Sequence, residues 1–170
     1  MKRPEGSTGR RRAKAPPPTA FAQALRWLTV RDRSEAELRT KLKRAKHLPE
    51  QIEAAVLRLR ALGYLDDARF ARVRAESLIA RGRLGPRGAA ARLAAAGLSR
   101  EQVQTAVGSA MKDRDELALA RAALLRKHPG AVGSDDPKLR ARAVRFLLGR
   151  GFSGAVVGRA LGVEVEGEQA

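Results

Sequence analysis

Cysteine does not occur among the 170 residues. Disulfides, thiolate metal sites and a cysteine nucleophile are therefore excluded. Histidine occurs only at positions 47 and 128, too few for a histidine-rich metal centre. Aromatic residues make up 4% of the chain while 44% is hydrophobic, so a core must be built from Leu, Val and Ala. No apolar run approaches the ~18 residues of a membrane span, and residues 1–19 lack the apolar segment of a secretory signal. A cytoplasmic protein with no membrane partner is expected. Strand-like alternation is missing, and so are the phosphate-binding GxxxxGK[ST], HExxH, GxSxG and dinucleotide patterns. Neither an enzyme nor a bound cofactor is expected.

Positive charge is abundant. Lys and Arg total 35 against 18 Asp and Glu, a formal charge of +17. Such an excess suits nucleic acid or an acidic protein surface, because a merely solvated surface mixes the two signs more evenly. Residues 1–19, rich in Pro, Gly and Arg, form an expected disordered basic tail, and residues 163–170 a flexible acidic one.

Between the tails the pattern is helical throughout. Ser34 with Glu37, and Ser99 with Gln102, have the spacing of capping boxes. Pro49, Pro86 and Pro137 suit first helical positions, and Gly63 and Gly97 suit left-handed helix ends. These signals predict helices over 20–31, 35–46, 49–62, 67–81, 86–96, 100–112, 114–128, 137–149 and 154–161. The series Leu42, His47, Ile52, Ala55, Val56 recurs as Leu93, Leu98, Val103, Ala106, Val107 and as Leu147, Phe152, Val157, Ala160, Leu161, with offsets of 51 and 54 residues. The expected fold is all-α: three tandem three-helix repeats, over 20–65, 66–112 and 113–162, in an elongated, curved right-handed or crescent array.

The stretch GYLDDARFAR, Gly63–Arg72, sits at the first boundary. Asp66 is placed to cap the following helix, and Asp67 in its first turn favours the positive end of the helix dipole. Leu65 and Phe70 stand at the spacing of a hydrophobic staple. Adjacent side chains on a helix do not converge, so the pair reads as a joint rather than as an acid–base site. Trp27, Tyr64, Phe70, Phe146 and Phe152 all fit apolar stripes or turns and are expected in the core. His47 reads as a partly packed turn residue. The Gly-rich RGRLGPRG, Arg81–Gly88, opens a helix whose backbone could meet a phosphate, although Gly-Pro there also reads as a turn.

The basic residues form rows off the apolar stripes: Arg39, Lys43 and Lys46 on one helix, Arg74 and Arg81 on another, and Lys138, Arg142 and Arg145 on a third. The basic positions do not repeat between units, so the units are not expected to make equivalent contacts. Backbone phosphates or an acidic protein suit these rows better than stacking on free aromatics.

The run YLDDARFA, Tyr64–Ala71, resembles the signature of the RecX family of bacterial recombination regulators. RDRSEAELRTKL, RGRLGPRG, AAAGLS and FLLGRGFS are similar to that family's other blocks in the same order, over 21–162. Lys46-His47 departs from the Gly-apolar turn of the other two units, Ala89 stands where a larger aliphatic residue is common, and the basic tail lies outside the likeness. The resemblance implies a monomeric, non-enzymatic regulator of three three-helix repeats. It implies binding to the RecA recombinase and its filament on single-stranded DNA, and inhibition of recombination, ATP hydrolysis and coprotease activity. Candidate contacts with the filament and with DNA phosphates are Arg39, Lys43, Arg74, Arg81, Arg83, Arg142, Arg145 and Arg150; Tyr64, Leu65, Asp66, Asp67 and Phe70 form the structural signature. The rival expectation is a free-standing helix-turn-helix-like DNA-binding protein.

Overall fold

The computed structural model describes residues 18–80 and 82–162. The two expected tails fall almost wholly outside the described residues. Among those residues there are nine α-helices, one 3-10 turn and no strand. The helices are α1 (Ala20–Leu28), α2 (Glu35–Arg44), α3 (Pro49–Ala61), α4 (Asp67–Ile79), α5 (Pro86–Ala95), α6 (Arg100–Met111), α7 (Glu116–Lys127), α8 (Pro137–Gly149) and α9 (Gly154–Ala160).

They pack in threes around three separate cores. Ala24, Leu38, Leu42, Val56 and Leu59 fill the first. Ala75, Ile79, Ala89, Leu93 and Val103 fill the second, and Leu124, Ala143, Leu147, Phe152 and Val157 the third. The repeated apolar series supplies this packing, since Leu42, Leu93 and Leu147 are each wholly buried. Each unit is small and aliphatic, and so depends on its neighbours for stability.

The local signals act largely as read. Ser99 Oγ accepts the Gln102 N–H and Gln102 Oε1 accepts the Ser99 N–H, a complete capping box. Asp66 Oδ1 accepts the Arg69 N–H at 2.9 Å, and Leu65 and Phe70 are both buried. The middle helices α2, α5 and α8 close in the same way: the second residue past the cap donates to the carbonyl of Leu42, Leu93 or Leu147. Gly97 and Gly151 take the left-handed position at φ 83° and 77°, and Lys46 takes it in α2 at φ 63°.

Four expectations need correction. α1 ends at Leu28, short of 31, where Thr29 turns its hydroxyl onto the Arg26 carbonyl. α7 starts at Glu116, because Asp115 caps it by accepting from Leu117 and Ala118. The long break after α7 holds a 3-10 turn at Pro129–Ala131, and Ala131 is buried in the third core. The Ser34 box is half-made: Glu37 leaves the backbone and pairs with Arg31 at 3.1 Å.

The units join through their middle helices, head to tail. Ser34, the N-cap of α2, donates its hydroxyl to the carbonyl of Ala96, the C-cap of α5. Gly85, the N-cap of α5, donates its N–H to the carbonyl of Arg150, the C-cap of α8, at 2.8 Å. Ser34 reaches across with its side chain and Gly85 with its backbone. Glycine permits both approaches: a Cβ on Gly97 would overlap Ala36, and one on Gly151 would overlap the backbone of Gly88. The Gly-rich RGRLGPRG segment is thus a docking surface for the third unit, its Gly85 N–H given to Arg150 rather than held for a phosphate. Asp67 ties the first joint as well, since its Oδ1 accepts the Glu35 N–H at the start of α2 at 2.9 Å.

Two glycines with the same backbone need separate these effects. Gly63 has φ 74° and open space where a Cβ would lie. Gly63→Ala should cost about 1–2 kcal/mol, the left-handed penalty alone. Gly97→Ala should cost roughly 2–4 kcal/mol, because overlap with Ala36 adds to it. Chemical denaturation of both, with Ala36→Gly added to Gly97→Ala, measures the difference. The double variant should cost less than the sum of Gly97→Ala and Ala36→Gly measured singly, and equal costs for the two glycines would contradict the joint.

Candidate nucleic-acid interface

The expected contact residues divide into those held by the protein itself and those left to solvent. Arg39 is held. Its guanidinium spans Glu53, with Nε–Oε1 at 2.9 Å and Nη2–Oε2 at 3.1 Å, and reaches Glu35 with Nη1 at 3.0 Å. Glu35 also receives Arg60, at 2.7 and 2.9 Å. Arg150 is held too: its Nη1 donates to the Arg83 carbonyl and its guanidinium lies 4.4 Å from the centre of the Phe146 ring. These two arginines brace the fold, Arg39 in unit one and Arg150 across the joint between units two and three. Arg114 to Glu76 and Arg126 to the Gly82 carbonyl strengthen that joint further.

Lys43, Arg74, Arg83, Arg142 and Arg145 are exposed and form no salt bridge among the described residues. Arg81 lies outside the described residues. Lys43 is on α2, Arg74 on α4, and Arg142 and Arg145 on α8, so the exposed cations come from all three units. Arg74 shares a shallow recess with Arg31, Asp32, Phe70 and Val73.

Arg31 leads into a second group that sequence reasoning missed. Arg33, Lys41 and Arg44 stand with it around Trp27, in a recess of about 820 Å³ between α1, α2 and the end of α5. Lys41 Nζ lies 4.4 Å from the Trp27 ring centre. The i, i+3 spacing of Lys41 and Arg44 was visible in the sequence. Arg31 and Arg33 fall in the turn before α2, where no helical periodicity marks a face.

The aromatic residues are also sorted by the structure. Phe70 and Phe152 are buried, whereas Trp27 and Phe146 are half-buried beneath cations. Tyr64 is 50% exposed rather than core. It follows the left-handed Gly63, which turns the chain out before Leu65 enters the first core. His47 is partly buried, with Nε2 2.6 Å from Gln23 Oε1.

Three matches to known proteins cover this architecture unit by unit. Residues 20–59 match the first three-helix domain of RecX, 66–107 the second and 114–161 the third. The chain belongs to the RecX family. A regulatory protein RecX from Syntrophotalea carbinolica is 33% identical over 144 residues, spanning 84% of this chain and 94% of that one. One from Thermus thermophilus is 43% identical over 133 residues, spanning 78% and 83%. A crystal structure of regulatory protein RecX superposes with a TM-score of 0.66 at 20% identity, covering 83% of this chain and 70% of that one. RecX from Lactobacillus salivarius gives 0.66 at 16%, covering 84% and 92%. At those identities the two structures bear on the fold alone, three tandem three-helix domains.

The carboxylates at the first joint titrate in opposite senses. The Arg60 guanidinium, with Arg39, holds Glu35 below the ordinary carboxylate range. Burial pushes Asp67 up, outweighing the Glu35 N–H that it accepts. Glu35 therefore contributes stability that is present above its unfolded pKa and lost as pH falls through its folded one. Asp67 does the reverse, because its ionised form is disfavoured on folding. Glu35→Gln should lower stability at pH 7, with the deficit narrowing below about pH 4. Asp67→Asn keeps an oxygen for the Glu35 N–H and should be at least as stable as the parent at pH 7. Denaturation midpoints across pH check both signs.

Proposed function

We propose that this protein is a non-enzymatic regulator that binds the RecA recombinase and its filament on single-stranded DNA. There it inhibits recombination, ATP hydrolysis and coprotease activity. The supporting observation is the placement, on all three units of a RecX-family chain, of exposed cations with no salt bridge among the described residues. Lys43, Arg74, Arg142 and Arg145 are spread along the tandem array, as contact with an extended polyanionic assembly requires. Arg39 acts indirectly by bracing unit one, and Arg150 by tying unit three to unit two. We assign the protein to the cytoplasm, as a monomer, since the filament is the repeating partner. Among the described residues no helix is long and apolar enough to cross a membrane.

Sedimentation with RecA filaments on single-stranded DNA, against naked DNA and across a salt series, tests this reading. The parent protein should prefer the filament. Arg142→Gln with Arg145→Gln should weaken binding and flatten its salt dependence, by about 0.7 in log–log slope for each phosphate no longer neutralised, while helicity is unchanged. Arg39→Gln should instead lower stability. Preference for one duplex sequence without recombinase would overturn the proposal, and unchanged inhibition of filament ATPase by the double variant would remove that pair from the interface.

A further inference from the structure

The recess between units one and two holds more positive charge than the fold uses. Arg33 and Lys41 have no salt-bridge partner among the described residues, and neither has Arg44. Arg33 Nε is buried without a hydrogen-bond partner. An unsatisfied guanidinium nitrogen beside other cations is unfavourable in an empty site. The one carboxylate lining the recess, Glu37, is already engaged by Arg31 at 3.1 and 3.4 Å. Burial and then Arg31 lower the Arg33 pKa, and Lys41 is lowered by desolvation and then by Arg33 and Arg31. The directions agree with the geometry: cations held together by the backbone, short of an anion.

The elements around them are firmly placed. Ser34 locks the start of α2 to the end of α5, so the wall carrying Arg33 is fixed to the wall formed by Ala96 and Gly97. The Ala96 carbonyl, which would repel an anion, is occupied by that same hydroxyl. Glu37, Lys41 and Arg44 follow one another at i, i+4 and i+7 on a single face of α2. Trp27 closes the remaining side and carries Lys41 against its ring.

We propose that this recess is a phosphate-binding site, in which Arg33, Lys41 and Arg44 take the oxygens of one nucleotide phosphate beside Trp27. Arginine suits the position by presenting planar paired donors, and lysine by adding a mobile point charge. The phosphate belongs either to a DNA strand or to a free nucleotide. The first case rests on the filament-binding reading above, while the second does not.

Trp27 is the only tryptophan in the chain, so its fluorescence reports on this recess directly. The full-length protein is titrated with pyrophosphate, ATP and an oligothymidylate, with sodium chloride at matched ionic strength as the control. A saturable change with the phosphates and none with chloride is expected. Arg33→Gln and Arg44→Gln should each weaken binding by roughly tenfold, the equivalent of one charge-assisted hydrogen bond. Arg121→Gln, exposed on α7 and outside the recess, should leave the change intact. Arg44 is exposed, so its variant remains informative if Arg33→Gln unfolds. Saturation at lower phosphate concentration by oligothymidylate identifies a strand as the source, and the reverse order identifies a nucleotide. A response equal to that with chloride, or parent-like binding by Arg44→Gln, overturns the site. Filament sedimentation separates the two readings. Filament binding without a phosphate response ends this inference alone. A phosphate response without filament binding ends the functional reading and leaves the site.

Discussion

One serine hydroxyl shows what the array depends on. Ser34 is the only buried polar residue among the described residues, and both its hydrogen-bonding roles are filled. It accepts the Glu37 N–H within unit one and donates to Ala96 of unit two. A helix start has unpaired N–H groups and a helix end has unpaired carbonyls. Setting the start of one middle helix against the end of the next pairs part of each set. Gly85 and Arg150 repeat the arrangement at the second joint. The three cores are separate, so these short polar contacts, with the glycines that let the backbones approach, set the relation of one unit to the next.

That constraint also sorts the arginines. A joint made at helix ends lies beside turns, and the residues braced against it are those whose guanidinium groups reach a carbonyl or a carboxylate across the gap: Arg150 to Arg83, Arg126 to Gly82, Arg114 to Glu76. Exposed pairs of this kind contribute little individually, but they fix orientation. The candidate contact residues left exposed lie on α2, α4 and α8 and in the turn before α5, and a second group, Arg33, Lys41 and Arg44, gathers in the recess at the first joint. The positive charge thus falls into two populations, one engaged within the fold and one with no salt bridge among the described residues.

The helices, their caps and the threefold repeat were legible in the sequence because each rests on local rules: apolar spacing, a Ser or Asp before a helix, a Gly after one. Ser99 with Gln102 and Asp66 with Arg69 follow those rules directly. What could not be read depends on partners distant in the chain. Ser34 looks like any N-cap, and its second bond runs to a residue 62 positions away. Asp67 looks like a dipole-favouring first-turn acid, and its carboxylate in fact serves α2. The same limit applies to charge. Arg39 and Lys43 sit on one face of one helix, yet one is locked between Glu35 and Glu53 and the other has no salt bridge among the described residues. Arg31 and Arg33, in a turn, carried no periodic mark.

The departure at Lys46 follows from the same joint. Lys46, Gly97 and Gly151 are equivalent, and all three adopt the left-handed conformation. At Gly97 and Gly151 the neighbouring unit approaches so closely that a Cβ has no room. At Lys46, among the described residues, no unit docks, and the residue is exposed. A side chain there bears only the backbone penalty of about 1–2 kcal/mol and adds a charge to the surface. The starts of the middle helices show the complementary pattern. At the start of α5 Gly88 is pressed against Arg150, whereas Leu139 in the first turn of α8 packs against the third core. Glycine at the joints is what repeating units need if their backbones are to approach this closely. The sequence blocks that looked like scattered turn signals are therefore one device, the docking of helix end on helix start, present twice among the described residues.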